Sequence, residues 1–119
     1  MVTEVGFKTI HYSEVKAEEV TEAGATGTRV RWLIAKGDGA EHFAMRHFEM
    51  SPGGHSPSHS HAWEHEVFIL GGNCLVCCGD QKTKVSAGDA VFIPPNTLHC
   101  FRNEGKNTLT FLCLVPHHT

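Results

Sequence analysis

The sequence predicts an all-β protein, a barrel or sandwich of short antiparallel strands around one core. Three observations point there. Short runs rich in apolar and β-forming residues recur along the whole chain. Gly, Pro, Asn and Asp turns separate them at short, regular intervals. Helical periodicity is weak throughout, and no repeat, low-complexity tract or linker interrupts the pattern.

The first strand is expected at residues 6–10. Residues 13–23 carry the best helical signal, with Ser13 as its N-cap, and a simple turn is the alternative there. Each strand after that is closed by a recognisable turn. The strand at 28–35 ends at Lys36-Gly-Asp-Gly39, 42–50 at Ser51-Pro-Gly-Gly54, 65–70 at Gly71-Gly72, and 73–78 at Gly79-Asp80. The strand at 82–85 meets Ala87-Gly-Asp89, 90–94 runs into Pro94-Pro-Asn96, 98–102 ends at Glu104-Gly-Lys-Asn107, and 108–115 completes the set. That last strand is apolar on both faces, with Leu109, Phe111, Cys113 and Val115 on one and Leu112 and Leu114 on the other. A small barrel has one wet face, so double burial predicts a covering partner and hence a homodimer. The strand at 6–10 is the segment expected to add to the partner's sheet edge.

A chain of 119 residues fits one domain, residues 1–119, with an N-terminal arm over about 1–27 and a barrel over about 28–116. Hydrophobic residues make up 40% and charged residues 19%, the balance of a folded globular chain. A net charge of −3 with no basic face argues against nucleic acid or an anionic membrane as partner. No apolar run is long enough to span a bilayer, and Glu4, Lys8, His11 and Glu14 interrupt any signal-peptide core, so a cytoplasmic location is expected. The five cysteines, an odd number, suit reduced thiols. Cys74 and Cys77 spell a CxxC string, but on a strand residues three apart face opposite ways. Cys74 and Cys78 share a face about 13 Å apart, too far to bridge. These thiols are read as small buried hydrophobes.

Histidine is the unusual residue, with ten in the chain. His59 and His61, two apart, project to the same side of an extended segment and can meet one ion. His65 has the same parity but lies about 13 Å beyond His61 on a straight strand, so it joins only if the chain bends near residues 62–64. His99 follows a second turn-rich stretch and reaches the same ion if its strand pairs beside the first pair. His55 is read as an exposed loop residue, and His117 and His118 as solvated.

These residues resemble a known family. Gly53, five residues, His59-x-His61, three residues, His65, six residues, Gly72 is similar to the first cupin motif. Gly88, five residues, Pro94-x-Asn96, two residues, His99, three residues, Asn103 resembles the second, with Asn96 where Gly is usual. The resemblance implies a double-stranded β-helix, or jelly-roll, barrel with one divalent metal ion inside its mouth, held by His59, His61, His65 and His99. The family usually has Glu where His65 stands, which keeps Glu66 as the alternative ligand; the spacing to Gly72 favours His65. All-histidine members resemble this chain and imply manganese. Ligand type does not select the metal, because imidazoles suit Mn, Fe, Zn, Ni and Cu alike; Mn or Fe is favoured, with Zn, Ni or Cu as the alternatives.

Four neutral imidazoles leave the ion its full charge, and an octahedral ion would keep two positions for water, substrate or dioxygen. Glu64, Glu66 and Asn103 are in sequence reach to hold the rings' other N–H groups. Trp63, Phe101, Phe111 and Cys113 are expected to wall the pocket, and Arg46 and Arg102 are options for binding a carboxylate. No catalytic residue is named. The favoured function is a metal-dependent, dioxygenase-like oxidoreductase acting on a small molecule. The alternatives are a non-redox isomerase or decarboxylase and a small-molecule-binding cupin without turnover.

Overall fold

The structure, a computed structural model, describes residues 6–117. It is a curled antiparallel jelly-roll barrel of nine strands. These are β1 (Glu18–Glu19), β2 (Thr26–Ile34), β3 (Phe43–His55), β4 (His65–Gly71), β5 (Asn73–Cys78), β6 (Gln81–Ser86), β7 (Ala90–Ile93), β8 (His99–Arg102) and β9 (Leu109–Pro116). The hydrogen-bonded order is β6-β5-β8-β3-β9-β4-β7, with β2 on the free side of β3 and β1 beyond it.

The curl depends on β3. Its first part, Phe43 to Met50, pairs residue by residue with β9, while His55 pairs with Arg102 of β8. The stretch Ser51-Pro-Gly-Gly54, read from sequence as a turn, is instead a bend inside a continuing strand. Gly54 makes the bend possible: a Cβ there would stand 2.9 Å from Met50 Cγ, the Ser51 carbonyl and the Thr26 carbonyl. One strand thereby serves both walls of the barrel. Between the walls lie Met50, Val67, Ile69, Val76, Ile93, Phe101, Leu109 and Phe111.

Alternation sorts each strand into an inner and an outer face. Along β4 the inner residues His65, Val67 and Ile69 are buried, and Glu66, Phe68 and Leu70 are exposed. Along β9, Leu109, Phe111, Cys113 and Val115 are buried, whereas Leu112 and Leu114 are half-buried on the outside. The register places Phe68 against Leu112, and Phe92 of β7 beside Glu66, so the outer face carries an apolar strip.

Near the N-terminus the strand expected at 6–10 is not formed in full, and the candidate at 13–23 is no more than a turn. Residues 13–23 form no α-helix: a 3-10 turn spans Tyr12–Glu14, capped by His11 rather than Ser13, and β1 follows. Val15 and Val20 are five apart and give a helix no stripe to bury. The chain instead spends its backbone groups on β2, with Val20 N–H donating to the Thr28 carbonyl at 2.9 Å and Arg31 Nε donating to the Val15 carbonyl at 2.9 Å. Residues 6–10 reduce to a single bridge position at Lys8. Lys8 meets Asp38 at 2.8 Å and donates to the Leu33 carbonyl at 2.9 Å. No helix among the described residues is long and apolar enough to cross a membrane.

Candidate metal centre

After β3 the chain leaves the sheet and delivers His59 and His61 on an irregular segment pinned at two points. His59 and His99 exchange backbone hydrogen bonds at 3.1 and 2.9 Å, which sets β8 beside the first histidine pair. Asn96 N–H donates to the His61 carbonyl at 2.6 Å. Asn96 has φ 62, a left-handed conformation that suits Gly best and Asn next. This is why Asn can stand where the motif has Gly. The chain then bends at Ala62 and Trp63 and returns with His65 as the first residue of β4. The bend removes the separation that a straight strand would impose.

Four imidazoles converge. The His59 and His61 ring centroids are 4.3 Å apart, His59 and His99 5.1 Å, and His61 and His99 5.2 Å. His65 stands 4.9 Å from His61 and 5.3 Å from His99. His59, His61 and His99 each offer a ligand atom, all within 4.8 Å of one another. His65 borders this triad.

The hydrogen bonds decide which nitrogens are offered. His59 Nδ1 lies 3.0 Å from Glu22 Oε2, and His99 Nδ1 lies 2.9 Å from the Thr97 carbonyl. A carboxylate and a carbonyl oxygen accept, so each Nδ1 carries a proton and leaves Nε2 as the ring's ligand atom. Burial, reinforced by Arg46 and the neighbouring histidines, takes His65 from the ordinary 6.5 down to about 3. Burial also lowers His99. Burial thus disfavours the protonated form of His65 and His99, and unprotonated ring nitrogens are what a divalent ion needs. The residues therefore fit the group that the fold implies.

The partners of these rings differ from expectation. Glu22, in the segment read as helical, serves His59. Glu64 and Glu66 are exposed. Glu66 faces outward on β4 between Phe92 and Leu114, because alternation turns it opposite to His65, so it is no alternative ligand. Asn103 is buried, but its amide ties chain segments together: Nδ2 donates to the Met50 and Asn107 carbonyls, and Oδ1 accepts from Gly105 N–H. His117, read as solvated, bonds the Ala40 carbonyl through Nε2 at 2.8 Å; His118 lies outside the described residues.

His59, His61, His65 and His99 all line a cavity of about 320 Å³. Trp63, Phe101, Phe111 and Cys113 all line it, and Trp63 stacks on His61 at 4.5 Å and 15°. Cys113 Sγ is 3.5 Å from His65 Nδ1 and 3.0 Å from Arg46 Nη2. Sequence reasoning missed Glu22 and the lining residue Trp32, which lies opposite Arg46 in the β2–β3 register. Arg102 is exposed and points away. The CxxC residues diverge: Cys74 is buried in the core, while Cys77 faces Cys100 across the β5–β8 ladder.

Known proteins resemble this chain in fold and sequence. The polyketide cyclase RemF from Streptomyces resistomycificus superposes with a TM-score of 0.87 at 40% identity, over 92% of this chain and 79% of that one. A cupin-2 domain from Rhodospirillum rubrum gives a TM-score of 0.79 at 30% identity, over 93% and 75% of the two chains. The 1-methylthio-D-xylulose 5-phosphate methylsulfurylase of Rhodospirillum rubrum is 39% identical over 71 residues, 60% of this chain and 46% of that protein. The chain spans less than half the length of the curated relatives it matches. The cupin domain family matches residues 46–115, a span that contains all four histidines. On its motifs, its barrel and these matches, the chain belongs to the cupin family.

Proposed function

We propose that this cupin is a metal-dependent enzyme that activates an apolar, carbonyl-bearing small molecule without redox chemistry, in the manner of a cyclase. The observation that carries the reading is the triad His59, His61 and His99, its ligand atoms all within 4.8 Å of one another, lining an apolar-walled cavity. His65 is proposed as the fourth ligand. A bound divalent ion supplies Lewis-acid polarisation of a carbonyl oxygen. The chain's own residues do the rest. Glu22 and the Thr97 carbonyl orient two of the rings. Phe101 and Phe111, 5.4 Å apart, wall off water and offer flat contacts to a planar ligand. The similarity to a polyketide cyclase over nine-tenths of the chain supports this class over oxygen chemistry.

A dioxygenase-like reaction at an Mn or Fe ion is the second reading, since an all-imidazole set accommodates those metals as readily as Zn, Ni or Cu. One experiment separates the two. Untagged protein and a His61→Ala/His99→Ala variant are assayed for bound metal, and then the Zn- and Fe-loaded forms are offered an aromatic poly-β-ketone with and without oxygen. Near-stoichiometric metal in wild type only, with turnover in Zn-loaded protein under argon, is expected. Turnover that needs both Fe and oxygen would overturn the non-redox reading.

A second copy of the chain is proposed to cover the outer apolar strip of Phe68, Leu70 and Phe92, half of it exposed. Phe68→Asp is expected to convert a dimer to a monomer in sedimentation velocity. A wild-type monomer at tens of micromolar would sink the homodimer. A cytoplasmic location, where the free thiols stay reduced, belongs to the same proposal.

A further inference from the structure

Arg46 is out of place for a barrel interior. It sits on the inner face of β3, opposite Trp32 of β2 and Cys113 of β9, and lines the same cavity as the four histidines. Its guanidinium lies over two aromatic faces, 5.4 Å from the Trp32 centroid and 5.0 Å from that of Phe48. Nη2 donates to Cys113 Sγ at 3.0 Å, and a thiol is a weak acceptor. Nε is buried and has no hydrogen-bond partner.

Other cations of this region are paired. Lys8 meets Asp38 at 2.8 Å, and Arg31 meets Glu49 at 2.7 Å. None of the ion pairs among the described residues includes Arg46. A guanidinium cannot relieve its burial by losing a proton. A fixed cation against apolar walls, with a buried donor unused and no counter-charge, is costly unless something brings the missing anion. The planar fork matches an oxyanion in two-point geometry, and the flanking rings would hold a flat apolar body beside it.

We infer that Arg46 is the oxyanion-recognition residue of this cavity, so that its ligand is a flat, apolar molecule carrying a carboxylate or phosphate group. The inference rests on reading the cavity as the ligand site, and it names the substrate class for that site. The oxyanion is placed at Arg46, which Cys113 links to His65 (Nη2–Sγ 3.0 Å, Sγ–Nδ1 3.5 Å), and metal-free protein tests it apart from the metal.

The test uses benzoate, its neutral isostere benzamide, and phenyl phosphate. Binding is read from intrinsic fluorescence, because both tryptophans of the chain, Trp32 and Trp63, line the cavity. Wild type, Arg46→Met and Arg46→Lys are titrated metal-free and then Zn-loaded. Metal-free wild type is expected to prefer benzoate over benzamide by about tenfold or more. Arg46→Met should abolish the preference while still binding benzamide, and Arg46→Lys should retain part of it. The ratio of anion to amide is the readout, so a loosened fold, which weakens both probes alike, does not imitate the result. Phenyl phosphate binding above or below benzoate, with the same dependence on Arg46, supports the assignment and names the oxyanion's source. A preference untouched by Arg46→Met, or no anion bound by any form, overturns it. A preference seen only with Zn and indifferent to Arg46 also overturns it, assigning the anion to the metal and leaving the metal reading intact. Protein that binds no metal yet keeps the Arg46-dependent preference would sink the metal reading and leave this one standing.

Discussion

Residues 59–65 and the strand Asn73–Cys78 resemble each other on paper. Each is a short run dense in metal-binding side chains, three histidines in one and three cysteines in the other. Only the first gathers them. The histidine run leaves the sheet, bends at Ala62 and Trp63, and closes four rings to within about 5 Å of their neighbours once His99 is added. The cysteine run is a straight strand in full register with β6, so alternation sends Cys74 into the core and Cys77 toward Cys100 on the other face. Residue type does not make a site; the backbone path between the residues does.

The sharpest way to break this comparison is to mutate both runs. His61→Ala/His99→Ala is expected to bring bound metal from near one per chain to none by elemental analysis, whereas Cys74→Ser/Cys77→Ser leaves it unchanged. Metal lost from the cysteine variant with its fold intact would erase the distinction. A smaller effect should follow from Glu22→Gln, which replaces a charged acceptor at His59 by a neutral one: metal affinity weaker by about tenfold, measured by competition with a chelator, with an unaltered circular dichroism spectrum.

Acid distinguishes the runs as well. His65 is held at about 3 when folded, against 6.5 ordinarily. Below pH 6.5 the unfolded chain takes up a proton that the folded chain refuses, so stability is full above that pH and is lost as pH falls from 6.5 toward about 3. His99 adds in the same direction. The melting temperature of metal-free protein should fall between pH 7 and 5, and His65→Asn should flatten the slope. An equally steep slope in the variant would refute this origin. The mildest prediction concerns thiol labelling. Burial pushes Cys74 up to about 11, so native protein at pH 8 should take up iodoacetamide first at the half-buried Cys78 and Cys77. Peptide mass mapping that finds Cys74 labelled as fast would contradict its place in the core.

Much of this was legible in the chain. The strand at 73–78 has the bounds expected of it, and the two-residue spacing of His59 and His61, with the need for a bend before His65, anticipates the convergence of the rings. What escaped was of two kinds. Glu22 sits 37 residues from His59, beyond any local spacing rule, and within a Glu- and Ala-rich stretch whose helical propensity lost to edge pairing with β2. Ser51-Pro-Gly-Gly54 has the composition of a turn, and only its packing against Thr26 and Met50 shows it to be a bend within β3. Arg46 was visible as a candidate for carboxylate binding, but its missing counter-charge was not.

The hydrogen bond from Asn96 to the His61 carbonyl, with the reciprocal pair between His59 and His99, has a consequence for the order of assembly. These bonds are made by the backbone and need no ion. The conformational entropy of bringing the two loops together is spent when the barrel folds, so an arriving metal meets a prepared receptor and keeps most of its binding energy as affinity. Unlike a zinc finger, whose chain and metal fold together, this barrel is expected to take up or exchange an ion without passing through an unfolded state.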